Sequence, residues 1–405
     1  MTQGVGRTIA LLGTSQTLAW ASSYYLPAML AVAMARTFGT APSTIFAAFS
    51  IALVVSALLG PHAGQLIDRW GGKPVLAASN LAFALGLATL GLANHLAVFF
   101  AGWILIGVGM GSGLYEAAFA SVVRLFGTES RGAITGITLV AGFASTVGWP
   151  LSSLLEAHFG WRGACIAWSA LHLVVALPLN LALPSVSRAG SSAAGTADDS
   201  RGTVADSPRR SGLIAVGLSF VFAVTWFVST AMATHLPRLL QLSGASLAAA
   251  VTAGALVGPA QVGARLLEYG LLRHRHPLFS ARLACTLHPI GATVLAVVGA
   301  TAAPAFGVLH GIGNGILTIA KGTLPLALFG PEGYGHRQGV LMVPARIAQA
   351  CAPLIFGACL DRLGTGALWI SALLSLSAFA VLMLLPRVDR TRPPASSGAL
   401  EPTAQ

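Results

Sequence analysis

Twelve apolar stretches, each long enough to cross a lipid bilayer, divide this chain of 405 residues and leave it few other folds. A helix must present about 20 mostly apolar residues to cover the hydrocarbon layer. The stretches fall near 8–35, 42–66, 74–93, 97–123, 132–155, 162–183, 212–235, 245–268, 278–300, 303–327, 338–359 and 365–386, taken in order as helices one to twelve. Only 9% of the residues are charged, against about 25% in soluble domains. The 47 glycines suit the same environment, because small residues let membrane helices approach closely. The expectation is an all-α membrane protein.

The net charge of +11 invites a nucleic-acid reading. Position argues against it. Seventeen of 23 Lys and Arg fall on one side of the predicted spans, among them Arg7, Arg69, Lys73, Arg124, Arg131, Arg265, Arg282, Arg337 and Arg387. Arg36, Arg162, Arg238 and Arg362 fall on the other side, and Lys321 and Arg346 lie inside spans. That asymmetry follows the positive-inside rule and predicts both termini in the cytoplasm. No basic patch interleaved with aromatics, as single strands need, is present in the sequence. The apolar run after Arg7 is too long for a signal peptide and is needed as the first span. Cys165, Cys285, Cys351 and Cys359 all fall in predicted helices without CxxC spacing, so no disulfide framework is expected.

Residues 185–211, rich in Ser, Gly and Ala, read as a flexible linker between two six-helix halves spanning 1–184 and 212–387, with a disordered tail at 388–405. The halves repeat. Helix four carries Gly107, Gly109, Gly111, Gly113, then Leu125-Phe126-Gly127 and Arg131. Helix ten carries Gly307, Gly311, Gly313, Gly315, then Leu328-Phe329-Gly330 and Arg337. Pro150-Leu151 in helix five answers Pro353-Leu354 in helix eleven.

Between helices two and three runs Gly64-Gln65-Leu66-Ile67-Asp68-Arg69-Trp70-Gly71-Gly72-Lys73. This segment resembles the signature loop of the major facilitator superfamily, roughly Gly-x-Leu-x-Asp-Arg-x-Gly-Arg-Arg. Gly64, Leu66, Asp68, Arg69, Gly71 and Lys73 match, and Gly72 departs from a basic position. A degraded counterpart, Arg265 to Glu268, lies about 200 residues on. The resemblance implies twelve membrane helices in two pseudo-symmetric bundles, with the substrate site between them near the midplane. It also implies a gating role for Asp68, Arg69 and Arg131, with Arg265 and Glu268 answering them. A partial Gly148-Trp149-Pro150 match and the lack of an Arg in the outer half of helix four are two departures from the pattern of drug antiporters. The stretch Leu18 to Tyr25 is loosely similar to the monocarboxylate and oxalate porter branch.

Charges inside a bilayer cost about 2.5–3.5 kcal/mol each on insertion scales, so each needs a reason. Glu116 is the one acid well inside a predicted helix, with Lys321 on helix ten and Arg346 on helix eleven. The functional reading makes Glu116 a proton carrier and Lys321 or Arg346 the binder of an anionic group. The alternative is a constitutive ion pair joining the halves. Trp20 and Tyr24, one turn apart in mid-span, and Asn314, a lone amide among glycines, are candidate substrate contacts. Gln16 on helix one and Trp226 and Ser229 on helix seven are further polar or amphipathic residues. His310 is either a further contact or a packing residue, and His172 and His288 read as packing residues.

The leading expectation is a proton-coupled, monomeric secondary transporter of a small anionic or polar solute in a bacterial inner membrane. It needs no cofactor, no metal and no nucleic acid. The competing expectation is an efflux carrier for a drug or for a metalloid such as arsenite. Cys351 and Cys359, about 80° apart on helix eleven, could offer that metalloid soft ligands. A sensor on the same fold is a third class. An enzyme is not expected, since no Gly-x-Ser-x-Gly, His-Glu-x-x-His or phosphate-cradling loop occurs.

Overall fold

The computed structural model describes residues 2–184, 208–272 and 274–387. The first half contains α1 (Thr2–Ser22 and Leu26–Phe38), α2 (Pro42–Trp70), α3 (Gly72–Leu92) and α4 (Leu96–Gly113 and Tyr115–Phe126). Next come α5 (Arg131–Ala141, then the part of Ala144–Leu171 before Gly160) and α6, which runs on through His172–Ala176 to Leu177–Leu181. The second half contains α7 (Pro208–Leu242), α8 (Leu247–Leu267, continued by Glu268–Leu272) and α9 (Pro277–Val298). It closes with α10 (Ala303–Phe329), α11 (Tyr334–Leu363) and α12 (Ala367–Leu384).

Seven helical runs are long and apolar enough to span a membrane. Two of them, Leu96–Leu181 and Tyr334–Leu384, hold 86 and 51 residues and so fold back as several crossings. With α1 and α8 they make twelve crossings among the described residues. The outer surface is apolar, with Leu384 84% and Val297 79% exposed, as a surface facing lipid tails requires. Each half has its own core. Trp103 and Trp168 fill the first, and Phe306 and Phe356 fill the second.

Sequence reasoning placed helix one as a single rod. The structure breaks it between Ser22 and Leu26, where Pro27 removes a donor and Tyr25 N–H turns back to the Trp20 carbonyl at 3.1 Å. Helix four breaks at Leu114, whose backbone is extended (φ −84, ψ −166). The hairpin from α5 to α6 turns at Gly160, where φ is +66 and glycine avoids the steric cost of a Cβ. Helix seven begins at Pro208, so residues 208–211 are helical rather than linker. The remaining linker, 185–207, and the tail from 388 lie outside the described residues.

The halves meet along α2 and α11. Gly60 and Gly64 on α2 face Gly335 and Gly339 on α11, each pair four residues apart. A Cβ at Gly64 would run into the Gly335 carbonyl, and one at Gly339 into the Pro61 backbone. The two helices therefore touch backbone to backbone at the end where α2 gives way to α3. The first segment of α5 also packs on α8 and α10, whereas its second segment makes no comparable contact with the other half among the described residues.

Candidate functional site

The site lies where α1, α4, α7, α10 and α11 converge. Its acid owes its place to the break in α4. Glu116 stands in the first turn of Tyr115–Phe126, where the helix dipole favours a negative charge. The break also takes the Gly113 carbonyl out of the helical ladder, and Gln16 Nε2 of α1 donates to it at 2.6 Å.

Arg346 Nη2 donates to both Glu116 oxygens, at 3.0 and 2.9 Å, and its Nη1 donates to Gln349 Oε1 at 3.0 Å. Arg346 is 3% exposed and the Glu116 side chain 16%. Glu116 owes that exposure to a cavity shared with Ser56, Gly60, Gly111, Gly339 and Met342.

The second cation is placed differently. The Lys321 ammonium lies 4.0 Å from the centre of the Trp226 ring, and no carboxylate among the described residues pairs with it. Pro325, four residues on, has no N–H to offer the Lys321 carbonyl, and Gln338 Nε2 of α11 takes it at 3.1 Å. Trp226 also lies 5.3 Å from the Arg346 guanidinium and nearly parallel to Trp20, with 6.3 Å between ring centres. Trp20 in turn touches Tyr24 and Tyr115. The indole N–H groups of Trp20 and Trp226 are buried without acceptors, as is Gln349 Nε2. This chamber therefore carries two cations, one acid and spare donors.

The structure thus brings together Glu116, Arg346, Lys321, Trp20 and Tyr24. His310 and Asn314 line a separate cavity inside the second half, with Thr225, Ser229 and Cys285. Sequence reasoning missed Gln349, Gln338 and Tyr115. Pro325 was a readable signal that the Lys321 carbonyl needs an outside donor, but not that Gln338 supplies it. Cys351 is exposed and Cys359 half-buried, and no group of three His, Cys, Asp or Glu among the described residues could hold a metal ion.

The loop residues sit at the end where the halves touch. Asp68 accepts from Gly335 N–H at 2.9 Å and His336 N–H at 2.8 Å, capping the start of α11. Arg131 Nη2 bridges to Glu268 Oε1 at 3.0 Å, and its Nη1 donates to the Arg275 carbonyl at 2.6 Å. Arg265 Nη1 reaches the Thr138 carbonyl at 3.0 Å. Gly71 turns the chain at φ +83. The departure at Gly72 has a steric cause, since a Cβ there would overlap the Ser121 side chain. Arg69 is exposed and Lys73 half-buried, and neither pairs with a described residue. Adjacent helical residues point about 100° apart, so Arg69 faces away from the contact Asp68 makes.

Two helical halves, joined at one end and enclosing a charged, aromatic-lined chamber, define a membrane transporter of the alternating-access kind. The chain belongs to the Major Facilitator Superfamily, whose family model matches residues 12–309. It is 28% identical to human monocarboxylate transporter 11 over 372 residues, 84% of this chain and 74% of that protein. It is 27% identical to an uncharacterized 38 kDa protein of Thermoproteus tenax, over 90% of this chain and 92% of that one. Among solved structures, the human organic anion transporter MFSD10 superposes with a TM-score of 0.71 at 16% identity, covering 93% of this chain and 99% of its own. The proton:xylose symporter XylE superposes at 0.72 and 13% identity, covering 95% and 96%.

Proposed function

We propose that the protein is a proton-coupled transporter of a small organic anion. The observation that carries this reading is the charge count of the chamber. Glu116 neutralises Arg346, and Lys321 is left against an indole without a counter-ion. An unpaired ammonium in a membrane interior is costly, and a carboxylate substrate supplies the missing charge. The unpartnered N–H groups of Trp20, Trp226 and Gln349 give that carboxylate donors. Protonation of Glu116 from its cavity releases Arg346 as a second anion ligand, which couples proton uptake to binding. Lipophilic cations are disfavoured by the same surplus of positive charge.

In a bacterial inner membrane oriented by its basic loops, the joined end faces the cytoplasm. Asp68, Arg131, Arg265 and Glu268 then form the closed gate on that side, beneath a chamber whose Trp20, Lys321 and Arg346 are only 4%, 5% and 3% exposed.

The test is a thermal-stability screen of the purified protein over organic anions, sugars, arsenite and cationic drugs, at about pH 5.5 and about pH 7.5. A ligand at 100 times its Kd stabilises by about 2.7 kcal/mol. A shift with a carboxylate that disappears in Lys321→Ala and Arg346→Ala supports the reading. A shift only with arsenite or a lipophilic cation overturns it in favour of efflux.

A further inference from the structure

Within the second half, away from the chamber, two histidines face each other. His288 of α9 and His310 of α10 bring their Nδ1 atoms to 3.0 Å. Each is 5% exposed. The opposite nitrogen of His288, Nε2, lies 3.0 Å from Ser371 Oγ of α12, and that hydroxyl is 2.8 Å from the Leu368 carbonyl. Phe306 stacks on the His310 ring.

The protons of this chain can be assigned. Two nitrogens at 3.0 Å hold one proton between them. If the Ser371 hydroxyl donates to Leu368, it must accept from His288 Nε2–H. His288 Nδ1 is then a lone pair, and His310 Nδ1–H donates to it. His310 Nε2 remains a bare lone pair with no protein partner among the described residues.

His310 lines a water-sized cavity of about 20 Å³ between α7, α9, α10 and α12. Thr225 and Ser229 of α7, Asn314 of α10 and Ser375 of α12 supply polar walls, and no charged side chain lines it. Cys285 of α9 is the one other titratable group facing it. On α10, His310, Asn314 and Lys321 follow at spacings of four and seven residues, so they share one helix face. Lys321 stands three turns from His310, ~16 Å along the axis.

We propose that His288 and His310 form a proton-binding dyad, loaded from this cavity, that gives the second half a protonation site separate from Glu116. A hydronium ion in the cavity gives its proton to the His310 Nε2 lone pair; its O–H bond breaks, the N–H bond forms and a neutral water is left behind. The resulting imidazolium keeps its Nδ1–H on His288. A second proton would set two N–H groups head to head, so the dyad takes one. The proposal does not depend on the anion reading.

Deuterium exchange at the Cε1–H of individual histidines tests it in the purified full-length chain, because that exchange requires both water and imidazole titration. His172, with Nδ1 2.8 Å from Asn80 Oδ1 and Nε2 2.7 Å from Ser22 Oγ, is the internal control for a fully bonded ring. We expect His310 to exchange at least about tenfold faster than His172, with a single titration midpoint. That midpoint moves in His288→Leu or, if that variant fails to fold, in Ser371→Ala, and stays in place in Glu116→Gln. A His310 rate as slow as that of His172, a rate without a titration step, or a midpoint indifferent to His288 and Ser371 would overturn the proposal.

Discussion

Arg346 and Glu116 lie 230 positions apart in sequence, yet one guanidinium nitrogen of Arg346 holds both carboxylate oxygens of Glu116 across the boundary between the halves. The pair places the one acid of the chamber among the described residues against one of its two cations and leaves the other uncompensated.

Removing one partner of such a pair strands the other in a low-dielectric interior, at a cost of about 3–5 kcal/mol. Arg346→Ala should therefore destabilise more than the double variant Glu116→Ala/Arg346→Ala. Chemical unfolding of the three proteins in detergent reads the difference. Equal losses in the single and double variants would mean that the ion pair does not hold the halves.

Lys321 has the opposite relation to stability. Its charge is buried without a counter-ion, so Lys321→Met should leave the melting temperature unchanged or raise it, while abolishing stabilisation by anions. Paired melting curves with and without a panel of carboxylates decide this. A clear drop in melting temperature without ligand would show that the ammonium is structurally satisfied.

At the joined end, the Arg131–Glu268 pair predicts an asymmetry. Glu268 is 2% exposed, and its Oε2 has no donor. Arg131 also reaches the Leu272 and Arg275 carbonyls. Arg131→Ala should thus cost on the order of 1–3 kcal/mol more than Glu268→Gln, because it leaves a buried carboxylate unmet. Thermal unfolding of the two variants side by side gives the sign.

Gly335→Leu should open the joined end. A side chain there meets the Gly64 carbonyl and the Asp68 carboxylate, and overpacking costs about 1–3 kcal/mol, a shift of about 5- to 150-fold in population. Labelling of a cysteine introduced at the half-buried Gln65 by a polar maleimide should accelerate accordingly. An unchanged rate would show that the glycine contact does not seal that end.

The sequence made the architecture legible because its signals are local. Apolar length gives the crossings, and the 64–73 loop gives the closed end through Asp68. The three charges of the chamber stood out because nothing else charged occupies the middle of a span. Which cation meets Glu116 was not legible, since it depends on the register of α11 against α4, and no local pattern encodes that. Gln349 and Gln338 escaped for a related reason. An amide in an apolar helix looks the same whether it orients an arginine or fills a carbonyl that a proline left free. His288 looked like a packing residue because its partner sits 22 positions away on the next helix.

Both cations of the chamber, Lys321 and Arg346, belong to the second half, and of its charges the first half contributes the acid, Glu116. On the proposed reading, a solute tethered by those two side chains stays moored to one hull throughout the cycle. The first half then acts as a moving wall that uncovers the cargo to one side of the membrane and then the other. On that reading the labour of transport is split unevenly between the two bundles.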